Sequence, residues 1–81
     1  MFVTVRLFAR LKDLAGASEM RQELPEGALA RTAWEALVRD HQALAEYEAV
    51  ISCAVNAEYA RLTTPLAHGD EVAFLPPVSG G

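Results

Sequence analysis

One segment of helical period, flanked on both sides by short segments of period two, does most to limit the folds open to this 81-residue chain. From Ala28 to about His41, stepping 100° per residue puts Leu29, Ala30, Ala33, Trp34, Ala36, Leu37 and Val38 in one broad apolar arc. Arg31, Thr32, Glu35, Arg39 and Gln42 lie opposite. Asp40 is the one polar residue on the apolar side, and Gly27 is the only N-cap candidate in view. Before this segment, Phe2–Ala9 alternates, with Val3, Val5 and Leu7 on one face and Thr4, Arg6 and Phe8 on the other. That is a strand with one buried face. Arg10–Ser18 reads as a long turn around Gly16, with one helical turn over Leu11–Leu14. Glu19–Leu24 reads as an edge strand, ended by Pro25-Glu26-Gly27.

After the helix, Gln42–Val50 is a loop or short helix. Ile51–Val55 alternates with Ile51, Cys53 and Val55 inward, and Asn56-Ala57-Glu58 turns. Tyr59–Leu62 is a short strand, Thr64–Asp70 carries turn chemistry, and Glu71–Leu75 is the last strand. Strand, strand, helix and three short strands is an α+β order. The expected architecture is a β-grasp: a mixed four- to five-stranded sheet with one main helix packed across it. Its first and last strands lie side by side and parallel, because a crossover containing the helix joins them. Residues 1–75 form the domain and residues 76–81 a flexible tail.

The net charge is −4, with acidic and basic residues interspersed, which argues against nucleic acid, since phosphate binding needs clustered Lys and Arg. Cys53 is the only cysteine, so no internal disulfide forms, and a small chain without disulfides is expected in the cytoplasm. No signal peptide is visible, and no apolar run approaches the roughly 18 residues of a membrane span. Membranes are therefore not expected partners.

The residues offer no catalytic constellation. Cys53, inward on a strand, reads as a small core residue. His41 at a helix end and His68 in a turn lack further ligands at metal spacing, so no metal site is expected. Asp70 and Glu71 read as solvated hairpin residues. The end of the sequence is different. Gly80-Gly81 follows Pro76-Pro77-Val78-Ser79 directly after a strand, whereas chance would put Gly-Gly there in roughly one chain in two hundred. The two prolines each fix φ and project the segment from the body. Six residues span up to roughly 20 Å, and two glycines without Cβ can thread a narrow channel. A carboxylate on Gly81 is thereby offered to the active site of another protein.

The run Gly69-Asp70-Glu71-Val72-Ala73-Phe74-Leu75-Pro76-Pro77-Val78-Ser79-Gly80-Gly81 resembles the C-terminal signature of the MoaD family, the small subunit of molybdopterin synthase. Ala54-Val55-Asn56 and the opening Val5-Arg6-Leu7-Phe8-Ala9 fit the same pattern. The resemblance covers the whole chain and implies a ubiquitin-type β-grasp. It implies that a MoeB-type adenylating enzyme uses ATP to activate the carboxylate of Gly81, and that a sulfur donor protein then leaves a thiocarboxylate. The tail, Gly80 included, is implied to enter a MoaE-type large subunit that converts cyclic pyranopterin monophosphate to molybdopterin. No cofactor is bound by the chain itself in this scheme, and it is a non-catalytic donor subunit of an enzyme complex.

Strand parity adds a docking surface. If Val3, Val5 and Leu7 face the helix, Phe8 faces outward; if Val72 and Phe74 do, so does Leu75. Pairing the two strands puts Phe8 and Leu75 together at the root of the tail, with Tyr59 nearby, and an exposed apolar patch of that kind is a docking surface. The expected partner-binding set is Phe8, Tyr59, Leu75, Pro76, Pro77, Val78 and Ser79. Other readings stay open: a sulfur carrier for thiamine, tRNA thiolation or cysteine synthesis, a ubiquitin-like modifier joined through Gly81, or a plain interaction domain.

Overall fold

A computed structural model describes residues 1–77; the roles expected of Val78, Ser79, Gly80 and Gly81 lie outside the described residues. The elements run β1 (Phe2–Leu7), α1 (Ala9–Ala15), β2 (Glu19–Glu23), α2 (Ala30–Asp40), a 3₁₀ helix (Gln42–Tyr47), β3 (Ser52–Val55), β4 (Glu58–Ala60) and β5 (Glu71–Leu75). The strands form one mixed sheet in the order β2-β1-β5-β3-β4. The two ends of the chain meet at its centre, where β1 and β5 pair in parallel, and every other pairing is antiparallel. This is the expected β-grasp with five strands, and β2 is the edge strand that its weak alternation suggested.

The core lies in the single layer between sheet and helix. Val3, Val5, Leu7, Cys53, Val72 and Phe74 point inward from the strands. They meet Ala30, Ala33, Trp34 and Leu37 of α2, along with Leu11 and Leu44, and no polar or charged residue is buried among them. At the centre Trp34 packs against Phe74, with ring centroids 5.2 Å apart and planes tilted by 59°. These are the two largest fully buried side chains, so the pair is the biggest single contribution to the core.

Three local readings are refined. The first helix has seven residues rather than one turn, because Leu11 is fully buried, Leu14 packs beside it, and Gly16 ends the helix in the left-handed region at φ 77°. A run so short, mostly Arg, Lys and Asp on its outer side, carries too little periodicity to be read. The second helix starts at Ala30, not Ala28, because the loop after β4 caps it. The Ala30 and Arg31 N–H groups donate to the carbonyls of Thr64 (2.9 Å) and Leu62 (2.8 Å). Thr32 Oγ1 accepts from the Leu29 N–H at 3.0 Å, so no Ser or Asp cap is needed. Asp40 is exposed at the end of α2, so its apparent place on the apolar arc puts no charge in the core.

Candidate functional site

The parallel register of β1 with β5 decides which side chains share the outer face of the sheet. Arg6 lies beside Ala73 and Leu7 beside Phe74. Since Leu7 and Phe74 are buried, the next residues along, Phe8 and Leu75, fall on the opposite face. On the other flank Ala73 pairs with Ala54, and Ala54 with Tyr59. One lateral row therefore crosses four strands as Arg6, Ala73, Ala54 and Tyr59, with Phe8 and Leu75 in the row toward the tail.

Between these rows is a concavity of about 270 Å³, lined mainly by apolar atoms. Ala54, Ala57 and Ala73 keep its floor low, while Phe8, Leu75 and Tyr59 stand at its sides. Tyr59 is 82% exposed and Phe8 36%, which is unusual for aromatic rings on a folded monomer. The structure thus gathers all three sequence-predicted side chains around one groove. A second hollow of about 470 Å³ opens at the tail root, where Phe8 and Leu75 are joined by Arg10, Tyr47, Pro76 and Pro77. Pro76 is half-buried there and Pro77 exposed.

Polar contacts hold the groove's edges. The Arg6 guanidinium lies 5.3 Å over the Phe8 ring, its Nη1 is 3.4 Å from Glu71 Oε1, and its Nε is 3.9 Å from Glu19 Oε1. These groups are solvent-exposed, so they orient the ring more than they stabilise the fold. Ala9 adopts φ 51°, which turns the chain from strand into helix directly after Phe8. The Phe8 carbonyl then accepts from Leu11 N–H at 3.1 Å.

At the far end, Asn56 and Ala57 both have positive φ (51° and 70°), the geometry of a two-residue hairpin turn. Asn56 knits this turn to the start of β5. Its Nδ2 donates to Asp70 Oδ1 (2.9 Å), its Oδ1 accepts from the Glu71 N–H (2.9 Å), and its own N–H donates to the Glu71 carbonyl (2.8 Å). Asp70 Oδ2 also accepts from the Ala67 N–H at 2.8 Å. That backbone hydrogen bond first, and the Asn56 amide second, hold the Asp70 carboxyl below the usual aspartate range. Asp70 and Glu71 are accordingly solvated residues at a turn, as expected, with Asp70 stapling that turn and Glu71 pairing with Arg6 across the strands.

The remaining candidates have structural partners. Cys53 is buried, its thiol donates to the Ala60 carbonyl (3.3 Å), and burial pushes its pKa up, the opposite of an activated thiolate. His68 Nδ1 accepts from the Phe2 N–H at 3.0 Å, and His41 follows the last turn of α2. Among the described residues no three His, Cys, Asp or Glu side chains cluster to hold a metal ion, and no helix is long and apolar enough to cross a membrane. Sequence reasoning missed Arg6, Ala54, Ala57, Glu71 and Ala73 as groove residues. Their outward parity was legible; which of them adjoin depends on cross-strand register.

The ThiS family model matches residues 5–81. The chain is similar to the molybdopterin synthase sulfur carrier subunit of Escherichia coli K12, 37% identical over 98% of this chain and 99% of that one. Among solved structures it resembles SAMP1 from Haloferax volcanii, with TM-score 0.85 and 35% identity over the whole of both chains. It also resembles a chain in the complex of subunits 1 and 2 of molybdopterin-converting factor from Helicobacter pylori 26695, with TM-score 0.68 and 28% identity over both chains in full.

Proposed function

The chain belongs to the ThiS family, with full-length similarity to molybdopterin synthase sulfur carrier subunits, and from that premise we propose that it carries sulfur on Gly81 for molybdopterin synthesis. Residues 76–81 act as the arm, and Gly80 and Gly81 as the part that enters a partner's active site. The observation that carries this reading is the groove walled by Phe8, Tyr59 and Leu75, which lies beside the root of that arm. A protein seated in the groove has the tail at its own surface.

The chemistry assigns the reactive groups to partners. A carboxylate is a poor acyl donor because oxide is its leaving group. Transfer of AMP from ATP, on an MoeB-type adenylating enzyme, gives Gly81 an acyl phosphate bond with AMP as leaving group. A sulfur nucleophile delivered by the donor protein displaces AMP and leaves a C–S bond. In a MoaE-type large subunit the thiocarboxylate sulfur then bonds to cyclic pyranopterin monophosphate, and water attacks the Gly81 acyl carbon, breaking its C–S bond and restoring the carboxylate. Two sulfurs are needed per dithiolene, so the chain cycles between partners. This asks of the groove that it bind and release rather than hold permanently.

The test is the intact mass of the full chain after incubation with ATP, an activating enzyme and a sulfur source. A gain equal to exchanging one oxygen for sulfur, mapped to Gly81, is the expected result. No gain, with an enzyme proven competent on another carrier, refutes the carrier reading. A second reading is favoured by one finding: the chain is 38% identical to small archaeal modifier protein 1 of Haloferax volcanii over 94% of its own length. A modifier uses the same activated tail on lysines, so isopeptide-linked Gly81 in target proteins is the outcome that favours it.

A further inference from the structure

Tyr59 borders a second concavity on its other side, of about 490 Å³, which passes around the β4 edge toward the N-terminal end of α2. Arg31, Arg61, Ser52 and Thr63 line it. Their meeting is built into the backbone. The loop after β4 clasps the first turn of α2 through the two hydrogen bonds that cap it, from Ala30 and Arg31 to the Thr64 and Leu62 carbonyls. The same loop is closed on itself by Thr64 N–H to the Arg61 carbonyl (3.0 Å) and by Arg61 N–H to Thr64 Oγ1 (3.2 Å). Two residues thirty apart in sequence are thus carried on one rim.

Both arginines are exposed, and among the described residues neither guanidinium enters an ion pair or a side-chain hydrogen bond. Glu35, one turn beyond Arg31 on α2, forms no ion pair with it, whereas Arg6 across the groove has both Glu19 and Glu71 within 4.0 Å. In a chain of net charge −4, the charged residues that line this hollow are both positive. Two guanidinium forks flanked by two hydroxyls supply donors suited to carboxylates. The helix N-terminus adds no anion site, because carbonyls of the loop already occupy its Ala30 and Arg31 N–H groups. The hollow is open and its rim exposed, so it suits a side-chain-bearing surface better than a small free anion. Its continuity with the groove through Tyr59 indicates that one protein covers both.

We propose that Arg31 and Arg61 form a second contact of the docking surface, receiving Asp or Glu side chains of the large subunit that seats on the Phe8–Tyr59–Leu75 groove. This rests on the docking role of that groove. The large subunit is the chosen occupant because a complex of the two subunits exists for the Helicobacter pylori relative. Rim charges act mainly on encounter, so the contact hastens association and selects the partner while the apolar groove holds it.

The experiment measures association kinetics and affinity between the full chain and the large subunit of the same organism, at low and high salt, for Arg31→Glu/Arg61→Glu and separately for Leu75→Ala. Both arginine side chains are solvent-exposed, and a glutamate in the first turn of α2 suits the helix dipole, so the double variant keeps its fold, which a thermal melt verifies. The expected result is an association rate lower by on the order of tenfold at low salt, with the difference from wild type fading at high salt. Unchanged kinetics or tighter binding of the double variant overturns the proposal. Leu75→Ala separates the two claims. If it weakens binding and the arginine variant does not, only the second contact is wrong. If Leu75→Ala has no effect, the groove is not the docking site.

Discussion

Ala57 holds a backbone conformation that suits glycine, at φ 70° in the second position of the β3–β4 turn. An L-residue in the left-handed region costs roughly 1–2 kcal/mol, because its Cβ crowds the following carbonyl. Replacing it by glycine relieves that cost, while the freer unfolded chain takes back about 0.4–1 kcal/mol. The midpoint of that difference makes Ala57→Gly stabilising by about 0.8 kcal/mol, which in a domain of this size raises Tm by roughly 3–6 °C. The methyl it removes lines the groove proposed for docking. If a partner covers that methyl, about 0.8 kcal/mol of burial is lost on binding, equal to about a fourfold weaker complex. The variant should thus melt higher by circular dichroism and calorimetry yet bind the large subunit less tightly in titration. An unchanged or lower Tm refutes the strain argument. A higher Tm with unchanged affinity leaves the strain and removes the methyl from the interface.

The other predictions concern charge, core and shape. Asp70 has a depressed folded-state pKa, so its contribution to stability is present above the unfolded-state value and is lost as pH falls through the folded one. Urea titrations below about pH 4 should therefore show wild type losing stability more steeply than Asp70→Ala, and parallel acid limbs contradict the hydrogen bonds from the Ala67 N–H and the Asn56 amide as the source of that stability. Trp34→Ala removes the largest fully buried side chain and its stacking on Phe74, and should cost about 3–5 kcal/mol, enough to leave much of the chain unfolded at 37 °C by hydrogen exchange. Ala73→Leu adds bulk to the groove floor on the outer face, so stability should change by less than about 0.5 kcal/mol while large-subunit binding is lost; retained binding means the groove is not filled in the complex.

The parts legible in the sequence are those set by local pattern. Val3, Val5 and Leu7 announce a one-faced strand, and the arc from Leu29 to Val38 announces the main helix, because burial imposes period 2 or 3.6 on the residues themselves. Outward parity alone puts Phe8 and Leu75 together. What stayed hidden was written in partners distant along the chain. The start of α2 depends on carbonyls at Leu62 and Thr64, so no nearby cap could mark it. Asn56 reads as a turn residue, while its hydrogen bonds to Asp70 and Glu71 arise only when β3 and β5 align. Arg31 and Arg61 look like ordinary solvated charges until the same loop brings them to one rim.

The alanines show that the outer face is shaped for something other than the fold. Ala54 and Ala73 face each other across β3 and β5, and a central strand position on a half-exposed face favours Val, Ile or Thr, which pack against cross-strand neighbours. Alanine there gives up that packing and leaves a hollow between Phe8, Leu75 and Tyr59. The large apolar residues stay at its borders, where solvent meets them, although the inner face has no polar intruder that would force them outward. Ala57 adds strain at the same hollow, where glycine costs less. Strand propensity, apolar exposure and backbone strain each pull against stability at this hollow, which is the combination expected if a protein surface seats there, as proposed above. Conflicts of this kind collect at functional sites, because selection for binding can oppose local stability there.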